Sequence, residues 1–255
     1  MHKLAFQLGP IRVHWYGVLL ALGFLAGLWT ASRRARLTGL APEKVLDLGP
    51  WLIIGALLGA RTVYVLSYWE ESFAGKPIWN IFKIHEGGLV FYGGLIGATL
   101  AAIIYLISRK LPLWQYGDAL APSIALGSFF GRLGCLMNGC CFGRACDLPW
   151  AIQFPQGHPS YPATVHPTQI YDALLNLGLY GLLAWLYRRK RFDGQIFALF
   201  LVGYALLRSV VEWFRGDYSH YYWGGNFTQA HVISLAILAA GIILYRTLAR
   251  KPKRQ

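Results

Sequence analysis

The sequence predicts an all-α integral membrane protein with seven transmembrane helices. Apolar residues make up 56% of its 255 residues, whereas charged residues make up only 14%. Apolar runs of about 20 residues, the length that crosses the hydrocarbon core of a bilayer, recur along the whole chain. Length alone suits one or two soluble domains, but this composition excludes them and predicts a single polytopic membrane domain over residues 1–255.

The apolar runs predict seven spans. Glycine and proline residues inside them are compatible with membrane helices, because neighbouring helices and side chains satisfy the backbone groups that such residues free. The approximate bounds are His14–Ala31, Leu48–Tyr68, Leu89–Ile107, Leu113–Leu136, Pro167–Tyr187, Gln195–Phe214 and Ala230–Tyr245. The preceding segment, Met1–Arg12, lacks the basic start and apolar core of a cleavable signal peptide, so we expect none.

The distribution of Lys and Arg predicts the orientation of the spans. Fifteen of these residues lie on one side of the predicted spans and six on the other. The positive-inside rule places the richer side in the cytoplasm, so the N-terminus is expected outside, in the periplasm, and the C-terminus in the cytoplasm. The net charge of +13 is then explained by topology, and no nucleic-acid partner is expected. We expect the basic tail Lys251–Arg254 to lie at the inner leaflet.

The connections on the predicted outer side are long and rich in glycine, proline and aromatic residues. They comprise about Trp69–Gly88, Met137–His166 and Arg215–Gln229. Loops of this length in a compact protein usually carry function. Their aromatic residues suit the membrane–water interface; examples are Trp79, Trp150, Tyr161, Tyr221, Tyr222 and Trp223.

Ionisable residues inside the predicted spans indicate a functional site. With Asp118 expected near the inner interface, the outer halves of the spans hold three arginines, Arg61, Arg132 and Arg208, against the two carboxylates Asp172 and Glu212. Such residues usually face a cavity or one another, and a pocket with excess positive charge at the outer leaflet suits an anionic lipid headgroup. Arginine suits a phosphate in particular because its planar fork donates two hydrogen bonds at once. The alternative is a set of purely structural pairs, such as Arg208 with Glu212 four residues apart.

Polar residues at helical spacing predict which faces line this pocket. Residues three or four positions apart share one face of a helix, and all of these residues fall in the outer half of their spans. One set is His166, Gln169 and Asp172, a second is Tyr204, Arg208 and Glu212, and Tyr16 and Tyr92 lie at the outer ends of the first and third spans.

The four cysteines, Cys135, Cys140, Cys141 and Cys146, leave several interpretations open. Their C-x4-C-C-x4-C spacing is not that of a familiar zinc site, so we expect no metal and no cofactor. A disulfide between Cys140 or Cys141 and Cys146 is compatible with an outer face, and small buried residues that let helices approach are compatible as well. A catalytic thiol also remains open, because Arg132 and Arg144 are close in sequence and favour a thiolate.

Six motifs in order resemble those of the bacterial prolipoprotein diacylglyceryl transferases from one end of the chain to the other. They include Gly87-Gly88-Leu89-Val90-Phe91-Tyr92-Gly93-Gly94 and the stretch from Gly131-Arg132-Leu133-Gly134 through Asn138 to Gly143. The others are Leu8-Gly9-Pro10 with Trp15-Tyr16-Gly17; Gly59-Ala60-Arg61; His166-Pro167-Thr168-Gln169-Ile170-Tyr171; and Arg208 to Glu212 followed by Phe214-Arg215-Gly216-Asp217.

The resemblance implies transfer of the diacylglyceryl group of phosphatidylglycerol to the lipobox cysteine thiol of a preprolipoprotein. A thioether forms and glycerol 1-phosphate leaves, in the first step of lipoprotein maturation. It implies that Arg132 binds phosphatidylglycerol and that Arg208 is a second essential arginine, with Tyr92 at the position of the proposed base. Residues of the same pattern that it places in substrate binding are Tyr16, Asn138, Gly143, Tyr204 and Glu212. From their positions we add Arg61, Arg144, His166 and Gln169 to the substrate-binding set.

The chain departs from the family pattern at three positions where the family has a polar residue. The pattern G-R-x-G-N-F-x-N-x-E-x-x-G has Asn and Glu where this chain has Cys135 and Cys140, which makes the site less acidic. The family's histidine base is Tyr92 here, so His85 and His166 are alternative bases, and a third possibility is that no base is needed.

The implied partners are phosphatidylglycerol, prolipoprotein signal peptides with a lipobox cysteine, and membrane lipids. The implied location is the bacterial inner membrane, with the active site towards the outer leaflet.

A paralogue acting on another lipid or acceptor is the nearest alternative function. A seven-helix receptor or transporter is disfavoured, because the last span has no lysine for a retinal Schiff base and the chain shows no pair of interrupted repeats. A thiol–disulfide oxidoreductase that uses the cysteines is a further alternative.

Overall fold

Seven long helices dominate the structure, a computed structural model that describes residues 3–9, 11–84, 87–217 and 228–250. The helices are α1 Trp15–Leu37, α2 Pro42–Ser67, α3 Phe91–Ser108, α4 Leu113–Asn138, α5 Thr168–Tyr187, α6 Gln195–Glu212 and α7 Gln229–Ala249. Each is long and apolar enough to cross a membrane, so the predicted seven-helix membrane fold is confirmed.

Several helices begin or end beyond the apolar runs from which they were predicted. Helix α1 continues past Ala31 to Leu37, and α2 begins at Pro42 rather than near Leu48. The apolar run marks only the part that needs a hydrocarbon environment, whereas helical hydrogen bonds continue through charged residues at its ends. Proline at the start of α2 suits the first helical position, where its missing N–H costs nothing.

The surfaces of the helices are those of a multi-pass membrane protein. Between 17% and 33% of the most apolar stretch of each helix is buried inside the protein. Large side chains such as Leu66, Phe91 and Ile243 are more than 60% exposed. An apolar surface of this extent on every helix is stable in lipid and would aggregate in water.

Short elements lie between the helices. Strands β1 Leu4–Leu8 and β2 Ile11–His14 form an antiparallel hairpin before α1, and β3 Ile152–Gln153 pairs with β4 Thr164–Val165 in the connection between α4 and α5. A π-helical turn, Trp69–Phe73, and a 3-10 turn, Ile78–Phe82, follow α2.

The chain divides into two compact units, Met1–Arg34 with Gly117–Gln255, and Ala35–Tyr116. The prediction that all seven spans form one domain stays a prediction. Within the smaller unit, α2 and α3 pack closely at Gly55, Gly59, Gly93 and Gly97, where a Cβ on Gly97 would collide with the carbonyl oxygen of Gly55. Small residues four apart allow such close backbone approach between membrane helices.

Two buried polar clusters hold the larger unit together. The fully buried carboxylate of Asp118 on α4 accepts hydrogen bonds from the backbone N–H groups of Gly194, Ile196 and Phe197, at 2.9–3.0 Å. It thereby caps the positive end of the α6 dipole. Arg34 on α1 donates through Nε to the carbonyl of Ala119 at 3.0 Å and through Nη2 to the Ser123 hydroxyl.

Candidate active site

The C-terminal end of α4 turns back on itself in a Schellman motif. Gly139 has a φ of +76°, its N–H donates to the carbonyl of Leu136, and the N–H of Cys140 donates to the carbonyl of Cys135. This motif brings the side chain two positions after the helix end against one in its last turn. Those two side chains are Cys140 and Cys135, and Cys141, with a φ of +63°, continues the turn.

Three of the four thiols therefore form a cluster. The sulfur atoms of Cys135, Cys140 and Cys141 all lie within 4.8 Å of one another, and all four cysteines are free. The pKa of the Cys141 thiol is lowered, first because Cys135 and Cys140 donate hydrogen bonds to its thiolate, and then because Arg215 and Arg132 add positive charge nearby. Cys146 is held elsewhere, its backbone paired with Thr164. The predicted local disulfide with Cys146 is therefore absent among these described cysteines.

The connection after α4 lies between the segments that precede α5 and follow α6. Gly143 donates its N–H to the carbonyl of His166 at 3.0 Å, and Arg144 donates to the carbonyl of Phe214 at 2.8 Å. A Cβ on Gly143 would lie 2.5 Å from the Cβ of His166 and 2.6 Å from its carbonyl oxygen. Only glycine fits this position, and its role is to let three segments converge.

Arg132 lies in the last two turns of α4, and its side chain is partly exposed. Its Nε is 2.8 Å from Oδ2 of Asp172 on α5, whose side chain is 3% exposed. Asn176 donates to the other carboxylate oxygen at 2.7 Å. Within the described residues nothing hydrogen-bonds to the two terminal nitrogens of Arg132, whose side chain is 20% exposed. The ion pair therefore orients the guanidinium and leaves its fork available for an anion.

A second cluster forms around Glu212 at the end of α6. Its carboxylate is buried, 2.8 Å from Nη2 of Arg208 and 4.0 Å from Nη1 of Arg215, and it accepts a hydrogen bond from the Thr228 hydroxyl at 2.7 Å. Arg215 also makes a two-pronged contact with Asp217 at 2.8 and 3.0 Å. The structural pair that the sequence allowed between Arg208 and Glu212 is thus formed, within a larger network.

Both clusters belong to one region of the larger unit. Arg132 interacts electrostatically with Tyr204 on α6 and with Cys141, and Cys141 interacts with Arg215. Arg144 donates through Nε to the carbonyl of Arg215 at 3.1 Å. In the part of the chain that the structure describes, the region contains four arginines and three carboxylates. The arginines are Arg132, Arg144, Arg208 and Arg215, and the carboxylates are Asp172, Glu212 and Asp217. Among the described residues the region thus has one more arginine than carboxylates. The set differs from the predicted one, because Arg61 lies in the smaller unit and Arg144 and Arg215 are included.

A cavity of about 510 Å³ opens beside the end of α4, lined by Arg12, Val13, His14, Tyr16, Gly17 and Asn138. Tyr16 packs on the glycine of α4 at position 134, where a Cβ would lie 2.9 Å from its ring. Asn138 is exposed and its Nδ2 lies 3.7 Å from the sulfur of Cys140. The sequence predicts Tyr16 and Asn138 at the site, but not their neighbours Arg12 and His14. These two lie in a hairpin before the first span, where no helical spacing relates them to the other site residues.

The start of α5 holds the cysteine loop in place. Gln169 donates through Nε2 to the carbonyl of Cys140 at 2.7 Å, and Thr168 donates to the carbonyl of Cys141 at 2.6 Å. Both side chains are 1% exposed, and Oε1 of Gln169 has no hydrogen-bond partner in the part of the chain that is described. The Nδ1 atom of His166 lies 3.2 Å from the Tyr171 hydroxyl.

Two predicted site residues lie in the smaller unit. Arg61 is 8% exposed and donates to the carbonyls of Asn80, Ile81, Gly87 and Gly88 at 2.7–3.2 Å. Four of the five N–H groups of a guanidinium are thus used to hold the connection between α2 and α3, and the prediction that Arg61 contacts substrate stays a prediction. Tyr92, in the first turn of α3, is 53% exposed.

Sequence reasoning missed His158, which supports the same loop from the other side. Its Nε2 lies 2.7 Å from the carbonyl oxygen of Gly139, its Nδ1 lies 2.8 Å from the Ser160 hydroxyl, and its ring stacks on Phe154 at 4.0 Å. A histidine within a loop carries no periodic signal that would have identified it.

Among the earlier predictions, several fall outside the described residues. They are His85, the aromatic residues Tyr221, Tyr222 and Trp223, and the tail Lys251–Arg254.

Comparison with known proteins identifies the family. The family model for prolipoprotein diacylglyceryl transferase matches residues 3–247. Similar proteins named phosphatidylglycerol–prolipoprotein diacylglyceryl transferase include that of Rhodospirillum rubrum, 38% identical over 256 residues, which cover 97% of this chain and 92% of that protein. Those of Idiomarina loihiensis and Pasteurella multocida are each 36% identical, over 239 residues (92% of this chain, 88% of that protein) and 244 residues (94% and 89%). The resemblance of the motifs is confirmed, and the chain belongs to the prolipoprotein diacylglyceryl transferase family.

Proposed function

We propose that this membrane protein transfers the diacylglyceryl group of phosphatidylglycerol to the lipobox cysteine thiol of a prolipoprotein. The carbon–sulfur bond of a thioether forms, and the bond between glyceryl carbon and phosphate oxygen breaks. Its electron pair leaves on glycerol 1-phosphate, and the thiol proton is released. Beyond membership of the family, the observation that carries this proposal is the Arg132 side chain, which is paired through Nε with Asp172 and is 20% exposed.

The two arginines Arg132 and Arg208 stabilise the leaving group. Cleavage turns a phosphodiester with one negative charge into a phosphate monoester with more charge, so cations at the phosphate stabilise the transition state more than the ground state. Arg132 binds the phosphate through its fork. Arg208, held by the buried Glu212, supplies the second positive charge.

Other residues of the site act by positioning or by contact with the headgroup. Glu212 is buried and bonded to Arg208 and Thr228, so we assign it to positioning the arginine rather than to binding the lipid directly. The buried Oε1 of Gln169 is an acceptor suited to a glycerol hydroxyl. Contact with the donor or acceptor is proposed as well for Tyr16, Asn138, Gly143, Arg144, His166 and Tyr204.

The acceptor reacts as its thiolate, which requires removal of a proton. Two candidates for the base, Tyr92 and His166, lie in the part of the chain that the structure describes, whereas the third, His85, lies outside it. Histidine is the side chain that most often serves as a general base, so His166 is the stronger candidate on chemical grounds, although its Nδ1 lies 3.2 Å from the Tyr171 hydroxyl.

We place the reaction at the outer leaflet of the bacterial inner membrane, with the N-terminus in the periplasm and the C-terminus in the cytoplasm. The support for this is the excess of Lys and Arg beside the opposite ends of the helices. A phosphatidylglycerol headgroup and an exported lipobox would then reach the site from the same side.

The test is a direct assay with the purified full-length protein. Phosphatidylglycerol and a peptide with a lipobox cysteine are expected to yield glycerol 1-phosphate and a diacylglyceryl peptide, whereas phosphatidylethanolamine yields neither. Arg132→Ala and Arg208→Ala are expected to abolish both products, and to fail to support growth of a cell depleted of its own transferase. Growth with both variants, or transfer without phosphatidylglycerol, would contradict the proposal; the latter would indicate a paralogue with another donor.

A further inference from the structure

The transfer mechanism proposed above assigns no role to the thiol cluster of Cys135, Cys140 and Cys141. The three sulfur atoms lie within 4.8 Å of one another, and the three residues are partly buried with free thiols. Sequence spacing alone argued against a metal site. The spacing is uninformative here because the Schellman turn, rather than a zinc-finger-like loop, brings the sulfurs together.

The fold holds this cluster in place without help from a ligand. Cys135 is on the last turns of α4, and the turn hydrogen bond from Cys140 to its carbonyl fixes their relative position. The carbonyls of Cys140 and Cys141 are held by Gln169 and Thr168 on α5, at 2.7 and 2.6 Å. Metal sites bind best when ligands are fixed by such supporting contacts.

The distances suit a shared metal ion. Zinc–sulfur bonds of about 2.3 Å place two sulfurs of a tetrahedral site about 3.8 Å apart. The sulfurs, which lie within 4.8 Å of one another, therefore have to approach by at most about 1 Å. A disulfide requires a separation of about 2.05 Å, a larger movement, and it would leave the third thiol unused.

The charges around the cluster suit a metal–thiolate centre. Three thiolates with one divalent cation carry a net charge of −1. Arg132 interacts electrostatically with Cys135 and Cys141, and Arg215 interacts with Cys141. Asp172 and Asp217 pair with these two arginines. The one positive charge left among the four arginines and three carboxylates of the region offsets the charge of the centre.

We propose that Cys135, Cys140 and Cys141 bind a thiophilic divalent cation of the zinc type, whose fourth coordination position takes the acceptor thiol of the prolipoprotein. Soft thiolate ligands select such ions, and three protein ligands leave one tetrahedral position open. The cluster borders the 510 Å³ cavity through Asn138, which contacts Cys140, and through Tyr16, which interacts with all three cysteines. A peptide in that cavity can bring its cysteine to the metal.

The proposal that the metal binds the acceptor thiol rests on the proposed function, because this thiol is the nucleophile of the transfer. A thiol that coordinates a divalent cation is deprotonated outright, so the proton goes to solvent before the transfer. The thiolate then attacks the glyceryl carbon, the carbon–oxygen bond breaks, and glycerol 1-phosphate leaves beside Arg132 with the electron pair. The cation is neither oxidised nor reduced.

The site itself is tested by metal binding to the purified, reduced full-length protein in detergent. After equilibration with zinc and removal of the excess, the wild type and a Cys146→Ser control are expected to hold one zinc ion per chain. Loss of a supporting residue costs a metal site about 10- to 100-fold in affinity, so loss of a ligand in Cys135→Ser or Cys141→Ser should weaken zinc binding by more than about 100-fold. Thermal unfolding in detergent verifies that each variant is folded.

The acceptor role is tested with cobalt, which makes the centre visible. The wild type loaded with Co²⁺ is expected to show sulfur-to-cobalt charge-transfer absorption, and a lipobox peptide with cysteine, but not one with serine, should change its visible bands. Identical spectra with both peptides would overturn this role. Reduced, folded wild type that holds no zinc, or a Cys146→Ser protein that loses it equally, would overturn the metal site.

The transfer assay separates this inference from the proposed function. Glycerol 1-phosphate release at the wild-type rate by the zinc-free cluster variants would refute activation of the thiol by metal and leave the transferase function standing. Zinc-loaded wild type that releases none from phosphatidylglycerol would refute the transferase function and the acceptor role together, but not the metal site.

Discussion

Replacing Arg132 with lysine separates the charge of this side chain from its geometry. In the native protein Nε is 2.8 Å from Asp172, and under the proposed function the two terminal nitrogens bind the phosphate of the donor lipid. A lysine keeps the positive charge but has a single nitrogen. It must either pair with the buried carboxylate or bind the phosphate, and it cannot offer a planar fork to either.

The expected loss follows from the hydrogen bonds that the lysine cannot make. A hydrogen bond to a charged group contributes about 1.5–3 kcal/mol. The variant lacks at least one such bond to the phosphate in the transition state. At about 1.36 kcal/mol for each factor of ten in rate, kcat/KM should fall by about 10- to 150-fold.

The assay is the release of glycerol 1-phosphate from phosphatidylglycerol and a lipobox peptide, with kcat and KM determined separately. Arg33→Lys is the matched control, because Arg33 lies at the far end of α1 and stacks on Trp29, with 4.0 Å between its guanidinium carbon and the ring centre. It should retain wild-type activity. An Arg132→Lys protein as active as wild type would refute the argument that a two-pronged contact binds the phosphate.

Three further substitutions test the scaffold of the site and of the helix pair. Gly143→Ala should lower both the melting temperature and the transfer rate, since its Cβ would lie 2.5 Å from a neighbouring side chain, whereas Gly178→Ala, with nothing within 4 Å, should change neither. Thr228→Val removes the 2.7 Å hydrogen bond to the buried carboxylate that holds the second arginine; we expect a loss of about 1–3 kcal/mol in unfolding free energy and slower transfer, and a serine at this position should restore both. Gly97→Ala should destabilise the packing of α2 against α3, because its Cβ would collide with a backbone carbonyl, and Gly94→Ala, whose nearest neighbour would be at 3.4 Å, should be tolerated when melting temperatures in detergent are compared.

The arginines show how far sequence reasoning reaches into the site. Arg61, Arg132 and Arg208 are equivalent in the sequence, as cations inside apolar spans. In the structure, Arg61 uses four N–H groups on backbone carbonyls, whereas Arg132 uses one nitrogen on Asp172. Sequence identifies a costly charge, and for Arg208 also a partner four residues away. The partners of Arg61 and Arg132 come from other segments, and only the folded chain decides which donors remain for a ligand.

The cysteines show the same limit, but here sequence reasoning argued against a site rather than for one. Their spacing argued against a metal site, but it could not show the cluster, because the cluster depends on a helix end whose turn places residue 140 over residue 135. Gly139 carries the signal for such a turn, since a left-handed residue commonly ends a helix. What Gly139 could not reveal is that Thr168 and Gln169 fix the loop so that Cys141 joins the other two.

The sequence by itself determined the seven membrane helices, the side on which basic residues collect, and the motifs that identify the family. These properties are local: hydropathy and charge add up along a segment and need no knowledge of its neighbours. The tertiary structure alone decided that Thr228 bonds to Glu212, that Gly143 lets three segments meet, and that three thiols come within 4.8 Å of one another. Those properties depend on hydrogen bonds and close contacts between distant segments, which no single stretch of sequence specifies.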